Sequence, residues 1–192
     1  MKKLLVAIVA LFCSVSSFGQ YSSGGFDLDK ENVYYGIRFG GTVASISGDL
    51  SIGSKVGLTL GGVLGLRLST STPVFLESGL YYTQRGAKEG DFEVTHNNLE
   101  IPIVVKYGFK ATDEIALLPF FGPYFAYAVN KEQKGDLDRV NRKNMGFKLG
   151  CGAEFNKLYA ELGYQFGVTN IWDSDDISGH NNALFLNFGV NF

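Results

Sequence analysis

The sequence predicts an all-β chain, a transmembrane antiparallel up-and-down β-barrel of about eight strands. Three observations predict it. Apolar residues recur at every second position in stretch after stretch, the period of a strand with one oily face. The connections between those stretches alternate long and short. The opposite faces carry charges of both signs at mid-strand, among many glycines.

The clearest stretch is 97–109. Leu99, Ile101, Ile103, Val105, Tyr107 and Phe109 share one face, and Glu100, Pro102, Val104, Lys106 and Gly108 share the other. About 11 residues at roughly 3.3 Å rise, tilted about 45°, cover roughly 25 Å, the height of a bilayer's apolar band. Pro102 removes one ladder donor.

The other strands follow in order. Residues 34–45 place Tyr35, Ile37, Phe39 and Val43 opposite Arg38 and Thr42. Residues 56–69 alternate most cleanly, with a leucine-rich face opposite Gly57, Thr59, Gly61, Val63, Gly65 and Arg67. Residues 74–85 set Val74, Leu76, Leu80 and Tyr82 against Phe75, Glu77, Tyr81, Thr83 and Arg85. Residues 115–129 alternate poorly, because both faces are apolar or aromatic, and Pro119 and Pro123 weaken them further as a strand. Residues 145–155 oppose Met145, Phe147, Leu149, Cys151, Ala153 and Phe155 to Gly146, Lys148, Gly150, Gly152 and Glu154. Residues 158–168 oppose Leu158, Ala160, Leu162, Tyr164 and Phe166 to Glu161 and Gln165. Residues 182–192 put Leu184, Leu186, Phe188, Val190 and Phe192 on one face.

The expected long connections are 47–54, 86–96, 130–144 and 169–181; the short ones are 70–73, 110–114 and 156–157. Outer-membrane barrels sort their loops this way, long outside and short in the periplasm, whereas a soluble sandwich has no reason to. The polar faces carry Arg38, Arg67, Arg85, Lys106 and Lys148 with Glu77, Glu100, Glu154 and Glu161. A bare charge at mid-membrane costs about 2–4 kcal/mol, so these nine side chains are expected to turn inward and pair as a lumen charge network. The inward glycines are expected to make room for them. A lipocalin-like soluble barrel would want an apolar inside to hold its ligand.

The N-terminus has the layout of a secretory signal peptide: Lys2 and Lys3, an apolar run over 4–12, then small and polar residues to Gly19. It is too short for a spanning helix. Phe12 before Cys13 stands where a lipoprotein signal needs a small residue. The expected organisation is a signal peptide over 1–19, a flexible segment over 20–32 and the barrel over 33–192. Loss of Lys2 and Lys3 takes Lys plus Arg from 17 to 15 against 19 acidic residues, a formal charge of −4, and gives no reason to expect nucleic acid. Only Cys151 then remains, which excludes an intrachain disulfide or a cysteine metal site.

Several of these residues resemble the PorT-like outer-membrane β-barrel family, the outer membrane protein beta-barrel domain of Gram-negative envelopes. The most specific piece is Leu99-Glu100-Ile101-Pro102 with Lys106-Tyr107 following. Similar pieces are Glu77-Ser78-Gly79-Leu80-Tyr81-Tyr82, Gly122-Pro123-Tyr124 and the run from Gly163 to Asn170. The run from Asn187 to Phe192 is similar to the C-terminal signal by which barrels are recognised for insertion. Tyr164-Gln165 departs from the pattern, standing where many members carry an Arg near the Tyr. The resemblance implies a barrel fold and an outer-membrane location. Its name implies a type IX secretion component, although most members have no assigned activity.

Chemistry finds little support. His96 and His180 are the only histidines, and a Ser178–His180–Asp176 set would suit a lipid-modifying barrel enzyme, but loop residues of these types are common. Asp136 with Asp138, and Asp173 with Asp175 and Asp176, lack the spacing and glycine of an EF-hand loop for Ca²⁺. Trp172 is more often an interfacial anchor than a stacking ligand, and Cys151 more often a small hydrophobe than a reactive thiol. An interior of about eight strands is filled by side chains, which argues against an open pore. The expectation is a non-enzymatic outer-membrane protein without cofactor or metal, monomeric, embedded in lipid, with long loops that meet an envelope or secretion partner. The alternatives are a component of a secretion machinery, a lipid-modifying enzyme or a narrow pore.

Overall fold

The computed structural model describes residues 32–48, 52–89, 92–134, 142–169 and 179–192. The period-two segments form strands β1 (Val33–Gly48), β2 (Ile52–Arg67), β3 (Val74–Glu89), β4 (Phe92–Tyr107), β5 (Phe109–Lys110), β6 (Ile115–Lys134), β7 (Lys143–Phe155), β8 (Leu158–Gly167) and β9 (Gly179–Asn191). Successive long strands pair antiparallel throughout. β1 pairs with β9, setting Phe39 beside Phe188, and β4 pairs with β6, setting Leu99 beside Tyr127. Those two pairings close the sheet and remove its edges. The two-residue β5 continues β4 past Gly108 and pairs with β6, so eight long strands make the wall. Among the described residues no helix is long and apolar enough to cross a membrane; that statement does not touch strands.

The wall is inside-out relative to a soluble protein. Ile37, Phe39, Val56, Leu58, Leu162 and Phe188 are each 45–73% exposed, while Arg38, Glu77, Arg85, Glu100, Lys106 and Lys148 are buried in the interior. One cause produces both faces: alternation along each strand commits every second side chain to the outside. β8 has ten residues, close to the minimum for a bilayer, whereas β1 to β4 have sixteen each and β6 has twenty.

The extra length corrects the expected loops. Residues 86–89 and 92–96 belong to a β3–β4 hairpin, 47–48 and 52–54 to a β1–β2 hairpin, 130–134 to β6, 143–144 to β7, and 179–181 to β9. Beyond the bilayer a paired strand no longer needs an oily face. Backbone pairing therefore persists where apolar alternation has stopped. β6 also runs unbroken through Pro119 and Pro123, opposite Cys151 and Phe147. Each proline costs one donor in a twenty-residue strand that is paired on both sides. At the other end the Asn156–Lys157 turn is as short as expected. Asn156 sits at φ 55°, a conformation its short polar side chain tolerates.

The glycines correct a second expectation: they chiefly make room for rings. A Cβ on Gly61 would lie 2.5 Å from Tyr81 Cδ1 and one on Gly150 2.6 Å from Phe120 Cζ. Gly65 and Gly152 underlie the rings of Tyr34 and Tyr159 in the same way. Among the described residues, Gly36 and Gly189 instead stand against an expected charge, Arg38, at 2.6 and 2.8 Å.

Candidate functional site: the charged lumen

The interior is layered. We call the end of the barrel with the Asn156–Lys157 turn the turn end, and the other the loop end. At the turn end Tyr34, Phe75, Ala116, Leu118 and Tyr159 form an apolar cluster, with Tyr34 edge-on to Phe75 at 5.7 Å. A second apolar layer, Val104, Phe120 and Phe185, lies toward mid-barrel, with Phe120 and Phe185 stacked at 6.3 Å. The charged residues lie on either side of this septum.

The first charged cluster centres on Glu77, from β3. Its Oε2 accepts from Tyr34 Oη at 2.6 Å and pairs with Lys106 Nζ at 2.8 Å and Arg38 Nη2 at 3.7 Å. Lys106 Nζ also donates to Tyr159 Oη at 2.7 Å, which donates to Glu161 Oε2 at 3.1 Å. Asn187 Nδ2 donates to Glu161 Oε1 at 2.8 Å. Arg38 lies 3.9 Å over the Tyr159 ring and donates to Asn191 Oδ1 at 2.5 Å. Asn191 Nδ2 in turn donates to Glu154 Oε2 at 3.0 Å. Inward residues from opposite walls meet only because an eight-stranded barrel is this narrow.

The second cluster centres on Glu100, at the middle of β4. Its Oε1 accepts from Lys148 Nζ at 2.7 Å and from Gln165 Nε2 at 2.8 Å, and its Oε2 accepts from Arg85 Nη2. Arg85 Nη2 also donates to Gln165 Oε1. Lys148 Nζ touches the septum, 4.7 Å from the Phe185 ring and 5.1 Å from that of Tyr81; from the far side Lys106 Nζ stands 5.4 Å from the Phe120 ring. Cations thus rest on both faces of one apolar layer.

Eight of the nine expected lumen residues therefore come together, in two clusters. Arg67 does not join them. It is half-buried at the turn end, where Nε donates to the Ser69 carbonyl at 2.7 Å and the guanidinium is 5.7 Å from the Phe75 ring. Sequence reading missed Tyr34, Tyr159, Asn187 and Asn191 as partners. Their signal was present: each shares strand parity with a charge already chosen, Arg38, Glu161 or the face opposite Leu186.

Among the described residues these side chains are held by salt bridges and hydrogen bonds to one another. Ser178, Asp176, Trp172, Asp173, Asp175, Asp136 and Asp138 lie outside the described residues. His180 is in β9 opposite Ser47, and His96 is in β4 opposite Arg85. Cys151 is exposed on the outer face. Among the described residues no group of three His, Cys, Asp or Glu could hold a metal ion.

Known proteins share this fold. Residues 18–173 match the outer membrane protein beta-barrel domain. The chain belongs to that family. Members of the outer membrane protein beta-barrel domain family reside in the cell outer membrane, and so does this protein. Solved structures agree on the fold. OprG from Pseudomonas aeruginosa superposes with a TM-score of 0.51 at 11% identity, over 86% of this chain and 99% of that one. Neisserial surface protein A gives 0.50 at 15% identity, over 84% and 100%. A major outer membrane protein from Thermus thermophilus gives 0.50 at 14%, also over 84% and 100%. No curated protein sequence matches the chain. In such barrels short turns face the periplasm, so the turn end is periplasmic, the loop end is extracellular, and the oily outer face meets lipid.

Proposed function

We propose that this protein is a sealed, non-enzymatic scaffold that spans the outer membrane as a monomer and presents its extracellular end to an envelope or secretion partner. The observation that carries this reading is the septum of Val104, Phe120 and Phe185 with a salt-bridged cluster packed on each side. A lumen filled in this way has no room for a solute path, and Glu77 and Glu100, paired with Lys and Arg, are held as structure, not poised for proton transfer. The outer face is committed to lipid, which leaves the extracellular connections free to recognise something. The Leu99-Glu100-Ile101-Pro102 motif supports a PorT-like assignment within the family. Its glutamate is the hub of the second cluster, so the motif's chemistry is accounted for by barrel packing. A place in a secretion machinery is the second reading, favoured by that same resemblance.

Replacing 135–141, and separately 170–178, by short Gly/Ser turns tests the proposal. Both variants are expected to insert and to keep heat-modifiable migration on gels, because the ladders below are untouched, while partners captured by crosslinking in native membranes are lost. If every captured partner survives both replacements, recognition lies elsewhere, on the periplasmic turns or on 20–32.

A further inference from the structure

The buried ionisable side chains divide unequally between the two clusters. On the periplasmic side of the septum the buried side chains are Arg38 and Lys106 with Glu77, Glu154 and Glu161. Among the described residues, those on the extracellular side are Arg85 and Lys148 with Glu100 alone. Val104, Phe120 and Phe185 stand between the two sets, so the carboxylates of the first do not reach Arg85 or Lys148. Glu100 has no capacity to spare, since its two oxygens already take donors from Arg85, Lys148 and Gln165.

This unequal division coincides with unmet hydrogen-bonding capacity. Arg85 is 1% exposed, and among the described residues its Nε and Nη1 have no hydrogen-bond partner. The hydroxyls of Thr59 and Thr83, 6% and 2% exposed, are likewise without partners. These residues are neighbours on the barrel wall. Thr59 and Thr83 face each other across β2 and β3, and Thr83 precedes Arg85 by two residues on the same inward face. Asn98 lies opposite Thr83 on β4 and is also buried, followed across the wall by Ala128 on β6. Guanidinium N–H donors, two hydroxyls and a local positive charge, beside the buried Tyr124 ring 5.4 Å from the guanidinium, are complementary to an anion that accepts from several directions. A chloride takes few directed bonds; a tetrahedral oxyanion takes many.

We propose that the extracellular half of the lumen binds a small oxyanion of the phosphate or sulfate class, held by Arg85 with Thr59 and Thr83. The barrel wall separates these groups from lipid, so the ligand enters from the aqueous mouth and not as a membrane headgroup. The bound anion completes the neutralisation that Glu100 begins, and it satisfies the guanidinium edge that Glu100 and Gln165 leave free.

The test uses the whole mature protein, folded in detergent micelles or nanodiscs. Inorganic phosphate, then sulfate, is titrated at constant ionic strength against a chloride reference. The Arg85 Nε–Hε resonance is followed by ¹⁵N NMR, assigned by its loss in Arg85→Lys. The midpoint of the heat-induced gel shift is followed in parallel. A saturable displacement of that resonance and a rise in midpoint, with both oxyanions and not with chloride, are expected. Thr83→Asp builds a carboxylate beside Arg85 in the anion's place. It is expected to raise the midpoint without phosphate and to weaken phosphate binding by about tenfold or more, since two like charges then compete for one cation. An Arg85 resonance that stays fixed to high phosphate would overturn the proposal, as would phosphate binding by Thr83→Asp equal to that of the wild type. The wild-type titration decides the matter alone if that variant does not fold.

Discussion

Glu100→Ala is expected to cost the barrel about 3–5 kcal/mol, the usual consequence of stripping the partner from fully buried charges. The residue is 0% exposed, and its removal strands Arg85 and Lys148 together, two like charges with no carboxylate between them. Urea unfolding of the protein in lipid vesicles measures the loss directly. Glu154→Gln is the internal control. Glu154 makes one hydrogen bond, from Asn191, and its Oε1 has no partner among the described residues. An amide in its place keeps the shape, can keep an acceptor for Asn191, and leaves no cation stranded, so a change under about 1 kcal/mol is expected. Equal losses from the two variants would mean that the lumen is wet enough to screen both, and that the Glu100 hub has no special weight.

The second large effect concerns the septum. Phe120→Ala combined with Phe185→Ala removes the stacked pair that lies between the clusters. Truncation of a buried phenylalanine costs about 3–5 kcal/mol when its surroundings do not collapse, and a closed barrel wall has little freedom to collapse inward. The double variant is therefore expected to be less stable than Glu100→Ala. Where it still inserts, it is expected to admit water and small ions between the clusters, visible as a rise in conductance over the wild type. Phe120→Leu with Phe185→Leu restores most of the volume and is expected to remain closed.

Both effects rest on features that differ in how far the sequence discloses them. Alternation along β4 separates Leu99, Ile101, Ile103 and Val105 from Glu100, Val104 and Lys106 without any coordinates, and the same parity sorts β1, β2, β7 and β9. Facing is thus local information. Partnership is not. That Glu77 meets Lys106 and Tyr34, while Glu100 meets Lys148 and Arg85, depends on the stagger between strands and on the narrow bore. A list of nine charges accordingly yields the inward set without its division into two clusters, and without the fact that Arg67 stays near the rim.

Two further features escape the pattern for physical reasons. The septum is built partly from Phe120 on β6, the strand whose two faces are both apolar and so carries no alternation to read. The hairpin extensions beyond the bilayer, such as 86–89 and 92–96, hold their strand structure by backbone pairing, which leaves no trace in side-chain polarity. The inward glycines show the reverse case. Their positions are plain from the sequence, but whether a ring or a charge fills the space above Gly61 or Gly65 is decided by the neighbouring strand.

A sealed outer-membrane barrel passes no ions. Purified, refolded protein reconstituted in planar lipid bilayers tests the seal most directly, with insertion established beforehand by heat-modifiable migration. The wild type is expected to give no stable single-channel steps, because apolar side chains and paired charges fill the bore from Tyr34 and Phe75 to the Glu100 cluster. Reproducible steps of fixed amplitude from the wild type would show an open bore and make the protein a pore.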